Sequence, residues 1–149
     1  MIHQATQTLS TFLTMKEVKH RVQEYGELSA VCASFSGART RGVEVRFLTS
    51  GEGNDIAVRI QDLFCVCVPE ERKTAVRETL NRLNTRFRYV KFYLRESGGI
   101  AVEYDLLTEI DPDAVGPVCH EIFFRIIDII DRSAPEIWAA LAGGQEAGG

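Results

Sequence analysis

The chain has 149 residues, a length that fits one domain. With 45% apolar and 26% charged residues it reads as a globular protein, and its net charge of −4 disfavours general nucleic-acid binding. No apolar run approaches the roughly 20 residues of a membrane span, and the first residues lack the basic start and cleavage site of a secretory signal.

In chain order, Leu9, Phe12, Leu13, Val18 and Val22 have helical spacing, which predicts a helix over residues 7–24 stopped by Gly26. Residues 28–35 are short and apolar and predict a strand. Val43, Val45 and Phe47 alternate with Glu44 and Arg46; Ile56, Val58 and Ile60 alternate with Ala57 and Arg59. The turn-rich "LTSGEGND" between them predicts an antiparallel hairpin with Val45 opposite Val58 and Glu44 beside Arg59. "LFCVCV", residues 63–68, predicts another strand. Its Cys65 and Cys67 would then share a face.

Pro69 can open a helix, and Glu70 and Glu71 suit its first turn. Val76, Leu80 and Leu83 form the expected buried face, flanked by Ala75 and Thr79, and Asn84 can end the helix. A second hairpin comes next. A three-residue loop at residues 97–99 places Leu94 opposite Val102, Phe92 opposite Tyr104 and Val90 opposite Leu106. On the reverse face it sets Tyr93 against Glu103 and Lys91 against Asp105. Asp111 and Pro112 then open a long helix with a broad apolar stripe from Val115 to Ile130. "SAPEIWAALAGG" predicts a separate short helix. Trp138 can anchor it to the core or belong to an interface. One domain over residues 1–142 and a flexible tail at 143–149 complete the expected organisation. The order lacks a strand–helix–strand repeat, so the expected class is α+β: a mostly antiparallel sheet of about five strands packed with helices.

The helix ending in "LNRLN", the aromatic-rich strand after it and the strand ending "YDLL" resemble the YbjN family of bacteria. Leu80, Asn81, Leu83, Asn84, Phe92, Tyr104 and Asp105 carry the resemblance, which spans about residues 28 to 141. It implies a fold similar to type III secretion chaperones, a class whose members often dimerise and bind other polypeptides without catalysis. The family label, a sensory transduction regulator, supplies no catalytic residues.

The residues themselves offer little chemistry. Cys32, Cys65, Cys67 and Cys119 have no zinc-type spacing, and reduced thiols suit the cytoplasm. His120 and Glu121 come directly after Cys119 on a helix, where neighbours diverge. Asp111 and Asp113 read as helix-start residues. "SGEGND" lacks the phosphate-loop pattern and joins two strands. A non-enzyme without metal or cofactor is expected.

The strongest signal is charge. Residues 72–95 hold eight basic groups and one acidic group, while residues 96–149 hold two basic and eleven acidic. The basic stretch has three readings. Its charges can be neutralised within the fold, with Lys91 on Asp105, Arg95 near Glu103, and Arg82 and Arg86 reaching the acidic C-terminal half. It can recognise an acidic protein surface through Lys73, Arg77, Asn81 and Asn84 on one helical stripe, with Tyr89, Lys91 and Tyr93 on the next strand. It can also form a stacking platform for nucleic acid, which the total charge and the lack of a motif make the weaker reading. The expected function is a protein-binding or chaperone-like regulatory module, with a homodimer as a candidate state. The alternative is a small-ligand or nucleic-acid binding regulator.

Overall fold

Among the described residues six strands form one antiparallel sheet, and three helices pack on one of its faces. The computed structural model describes residues 1–40, 42–51, 55–105 and 110–143. Helix α1 (Gln4–Met15) leads into strands β1 (Arg21–Tyr25), β2 (Leu28–Phe35), β3 (Val43–Thr49) and β4 (Ile56–Ile60). Helix α2 (Lys73–Arg86) precedes β5 (Val90–Leu94) and β6 (Ile100–Asp105), and α3 (Val115–Ala142) closes the fold. The spatial order β1-β2-β3-β4-β6-β5 leaves β1 and β5 at the edges. The α+β class is as the sequence implies, with six strands rather than about five.

The extra strand comes from the start of the chain. The helix expected over 7–24 stops at Met15, because Glu17 turns left-handed (φ 58°). The Glu17 N–H then reaches the Thr14 carbonyl at 3.1 Å and the Val18 N–H reaches that of Leu13 at 2.8 Å. This is a Schellman-type stop built on a residue that does not advertise it, since glycine usually fills that position. Val22 is freed to join β1, and Gly26 (φ 62°) instead serves the tight turn into β2.

Both hairpins form with the expected faces and a register shifted by two residues. Val58 pairs with Phe47 rather than Val45, and Val102 pairs with Phe92 rather than Leu94. A shift of two leaves every side chain on its own face, so alternation cannot distinguish the two registers. The three-residue loop of the second hairpin is present one position earlier, over residues 96–98. Arg95 and Gly99 flank it, and Gly98 is left-handed (φ 94°). Leu106, the expected partner of Val90, and all of the expected tail at 143–149 except Gly143 lie outside the described residues.

Residues 63–68 are not a strand. Residues Leu63–Cys65 form a short 3-10 turn in which Phe64 (φ 61°) and Cys65 (φ 52°) are both left-handed. The free side of β4 is already taken by β6, so this segment crosses the sheet end and ties to the second hairpin through Val68 N–H to Gly98 O, 2.8 Å. Cys65 and Cys67 are exposed free thiols. Cys119 is buried, which pushes its thiol up to about 12.

The two C-terminal helices expected from the sequence are one helix of 28 residues that runs through Pro135. Proline removes a backbone donor and normally breaks a helix. Here Ser133, Ala134 and Ile137 are all buried, so packing holds both sides of the interruption. Gly143 caps the end in the left-handed conformation.

The core lies between sheet and helices. Phe47, Val58, Val102 and Phe92 from the sheet meet Leu9 and Leu13 of α1, Leu80 and Leu83 of α2, and Ile122, Phe123, Ile126 and Ile130 of α3. The other sheet face carries charge. Arg21, Arg46, Arg59, Glu103 and Lys91 fall on one register row across it. Among the described residues no helix is long and apolar enough to cross a membrane.

Candidate functional site

Helix α2 flanks the β5 edge because Asn84 holds it there. The Asn84 Nδ2 donates to the Phe92 carbonyl at 2.9 Å, and the Phe92 N–H donates to Asn84 Oδ1 at 2.7 Å. One amide thus satisfies both backbone groups that Phe92 turns away from β6, and it blocks part of an edge that would otherwise invite another strand. Asn84 does not end the helix, which continues to Arg86. Its role is structural, and it forms the floor of a groove rather than an exposed contact.

That groove lies between α2 and β5 and has a volume of about 340 Å³. Arg77 and Asn81, one helical turn apart, and Tyr93 line it along with Asn84 and the apolar Leu80, Phe92 and Leu94. Burial, reinforced by Glu103, raises the Tyr93 phenol above its ordinary value, so the ring is neutral at physiological pH. Three of the seven sequence-selected residues, Arg77, Asn81 and Asn84, therefore converge on the helix side of the groove, and Tyr93 borders it from the helix-free sheet face, where its phenol turns to Glu103. Lys73, Lys91 and Tyr89 do not line it. Lys73 turns back to Glu70 at 3.0 Å. Lys91 stands on the helix-free face of the sheet opposite Glu103. Tyr89, left-handed at φ 67°, packs against Tyr104 with ring centroids 6.1 Å apart and faces a different depression beside Val118 and Arg125.

The basic stretch is divided between structure and surface. Arg86 binds Glu136 on α3 at 2.5 Å, and Arg95 binds Asp62 at 3.3 Å. The Arg72 Nε donates to the Ala140 carbonyl at 3.0 Å. The pairings expected for Lys91 with Asp105 and Arg95 with Glu103 do not form, because the register places Arg59 between the acids: it binds Asp105 at 2.6 Å and approaches Glu103 at 3.7 Å. Arg82 donates to Thr79 rather than to an acid. Among the described residues, Arg77, Arg82, Arg88 and Lys91 have no carboxylate within ion-pair distance.

Catalytic arrangements remain weak in three dimensions. His120 sits between aromatic rings, 5.7 Å from Phe12 and 5.0 Å from Phe124. Asp111 accepts from the Asp113 N–H and so caps the turn before α3. Among the described residues no group of three His, Cys, Asp or Glu side chains is placed to hold a metal ion. Sequence reasoning missed Asp131 and Phe64. Asp131 looks like one more charge on a helix, and Phe64 like one more residue of a strand. Trp138 is neither fully buried nor free: its indole stacks on Phe64 at 4.9 Å and remains 44% exposed.

The family model for YbjN, described as "putative bacterial sensory transduction regulator", matches residues 6–123. The match takes in most of the first helix, which the motifs of the resemblance do not include, covers the groove completely, and ends within α3, short of the residue 141 to which the resemblance extends. No curated protein matches the chain.

Proposed function

The chain belongs to the YbjN family, and from that premise we propose that it is a non-enzymatic regulatory module that binds another polypeptide in the α2–β5 groove. The observation that carries this reading is the placement of Arg77 and Asn81. Both are exposed on the groove wall, and Arg77 has no acidic partner among the described residues. Tyr93, 42% exposed, borders the groove at the β5 edge with its phenol toward Glu103. Arginine and tyrosine next to an apolar floor are the combination enriched at protein interfaces. An acidic segment with one or two apolar side chains fits that lining. A second copy of the chain qualifies as a partner, because residues 96–149 carry a large acidic excess. The free thiols are consistent with a cytoplasmic module.

The test is capture of partners by the tagged protein at low and moderate salt, with and without nuclease. A stoichiometric protein that survives nuclease and is lost on Arg77→Glu, in a variant that folds normally, supports the reading. Capture unchanged by Arg77→Glu overturns the groove assignment. Recovery of nucleic acid alone, with steep salt dependence, supports the second reading, in which the unpaired cations Arg77, Arg82, Arg88 and Lys91 contact phosphates.

A further inference from the structure

A second cavity, of about 510 Å³, lies away from the groove, between the β2–β3 connection and the last turns of α3. Its size is within the range of small-molecule sites. One wall is the Phe64–Trp138 stack, with planes inclined by 26°. Two successive left-handed residues, Phe64 and Cys65, set that ring in place. A side chain makes such a conformation unfavourable, and strain of this kind concentrates at functional sites.

The opposite wall is residues 37–40, held by one carboxylate from α3. Asp131 accepts from the Ala38 N–H at 2.8 Å, the Arg39 N–H at 3.1 Å and the Thr40 hydroxyl at 3.0 Å. The fit is close enough that a Cβ on Gly37 would collide with the Asp131 carboxylate. The loop therefore has a set shape before any ligand arrives. Asp131 is committed to the loop, and the exposed Arg39 side chain makes no ion pair with any carboxylate among the described residues.

We propose that this cavity binds a small aromatic carboxylate, its ring against the Trp138 indole and its anionic group on the Arg39 guanidinium. The indole supplies a flat, partly exposed face, and the guanidinium supplies a fork for a carboxylate. The Thr40 hydroxyl is already used by Asp131, so the described lining offers no further side-chain hydroxyl or amide for a sugar. That favours a carboxylate over a nucleotide, which presents the same ring-plus-anion chemistry.

Trp138 is the only tryptophan, so the 15N-labelled protein should show a single indole N–H resonance. Titration with indole-3-carboxylate should shift it saturably. Uncharged indole should bind about tenfold or more weakly, as should the carboxylate to Arg39→Ala, each lacking the charge-assisted hydrogen bond. Adenosine monophosphate should also bind more weakly, and Lys16→Ala, an exposed cation at the end of α1 that does not line the cavity, should change nothing. No saturable shift by about 10 mM carboxylate overturns the site. So does equal binding by indole or by Arg39→Ala, and so does loss of binding in Lys16→Ala. Tighter binding of the nucleotide overturns the carboxylate assignment.

Discussion

Asn84 and Asp131 show how a polar side chain on a helix can do the work of a backbone. Each satisfies main-chain groups of a distant segment: Asn84 both groups of Phe92, and Asp131 two N–H groups of the β2–β3 connection. Replacing Asn84 with Ala strands one donor and one acceptor at the edge of β5. The expected cost is about 1–3 kcal/mol, read as a fall in the denaturant midpoint; an unchanged midpoint would remove Asn84 from any structural role. Asp131 makes a pH prediction. Partial burial works to raise its carboxyl, but the Ala38 and Arg39 N–H groups, the Thr40 hydroxyl and the nearby Arg39 charge outweigh it and hold the carboxyl below its ordinary value. Glu44 is lowered as well, chiefly by its hydrogen bond from Arg21. A group with a lowered folded value contributes stability above its unfolded value, near pH 4, and loses it as pH falls through the folded value. Melting temperature should therefore drop below about pH 4, and the gap between wild type and Asp131→Asn should close over the same interval. A gap that persists at low pH would mean that the charge on Asp131 is irrelevant.

At the scale of elements, the entrances of α2 and α3 and the Gly143 stop of α3 are marked, while both ends of α1 are not. Pro69 and Asp111 both lie at helix entrances, where their residue types are favoured. The stop of α1 is set by Glu17, a residue with no turn preference, and Pro135 fails to stop α3. Glu17→Gly should relieve the left-handed strain and raise stability by about 0.5–1 kcal/mol, net of the extra freedom that glycine has when unfolded. Chemical denaturation would check it, and a loss of stability would show that Glu17 contributes an interaction larger than its strain. Residues 63–68 are a related case. Their composition suits a strand, yet the sheet has no vacant position beside β4 for them.

For the whole molecule, the uneven charge of the sequence is only partly reproduced in space. Arg86 and Glu136 bring α2 against α3 and consume some of it, while Arg77 stays on the groove wall. If self-association uses the proposed groove, light scattering should report about twice the 16.7 kDa chain mass, reverting toward one chain with added salt as surface attraction is screened. A single-chain mass at every concentration would end that part of the proposal. The α+β class, the faces of β3, β4, β5 and β6, the α2 core face and the pairing of Arg77 with Asn81 on one stripe were all legible in the order of residues. They depend on periodicities of 2 and 3.6, which are local. Hairpin register, the β4–β6 neighbourhood, the continuous α3, the Asn84 bracket and the Asp131 clamp were not. Each depends on which of several locally equal options leaves buried groups paired and apolar side chains covered. That choice is made by contacts between residues far apart in the chain, and only the tertiary structure contains them.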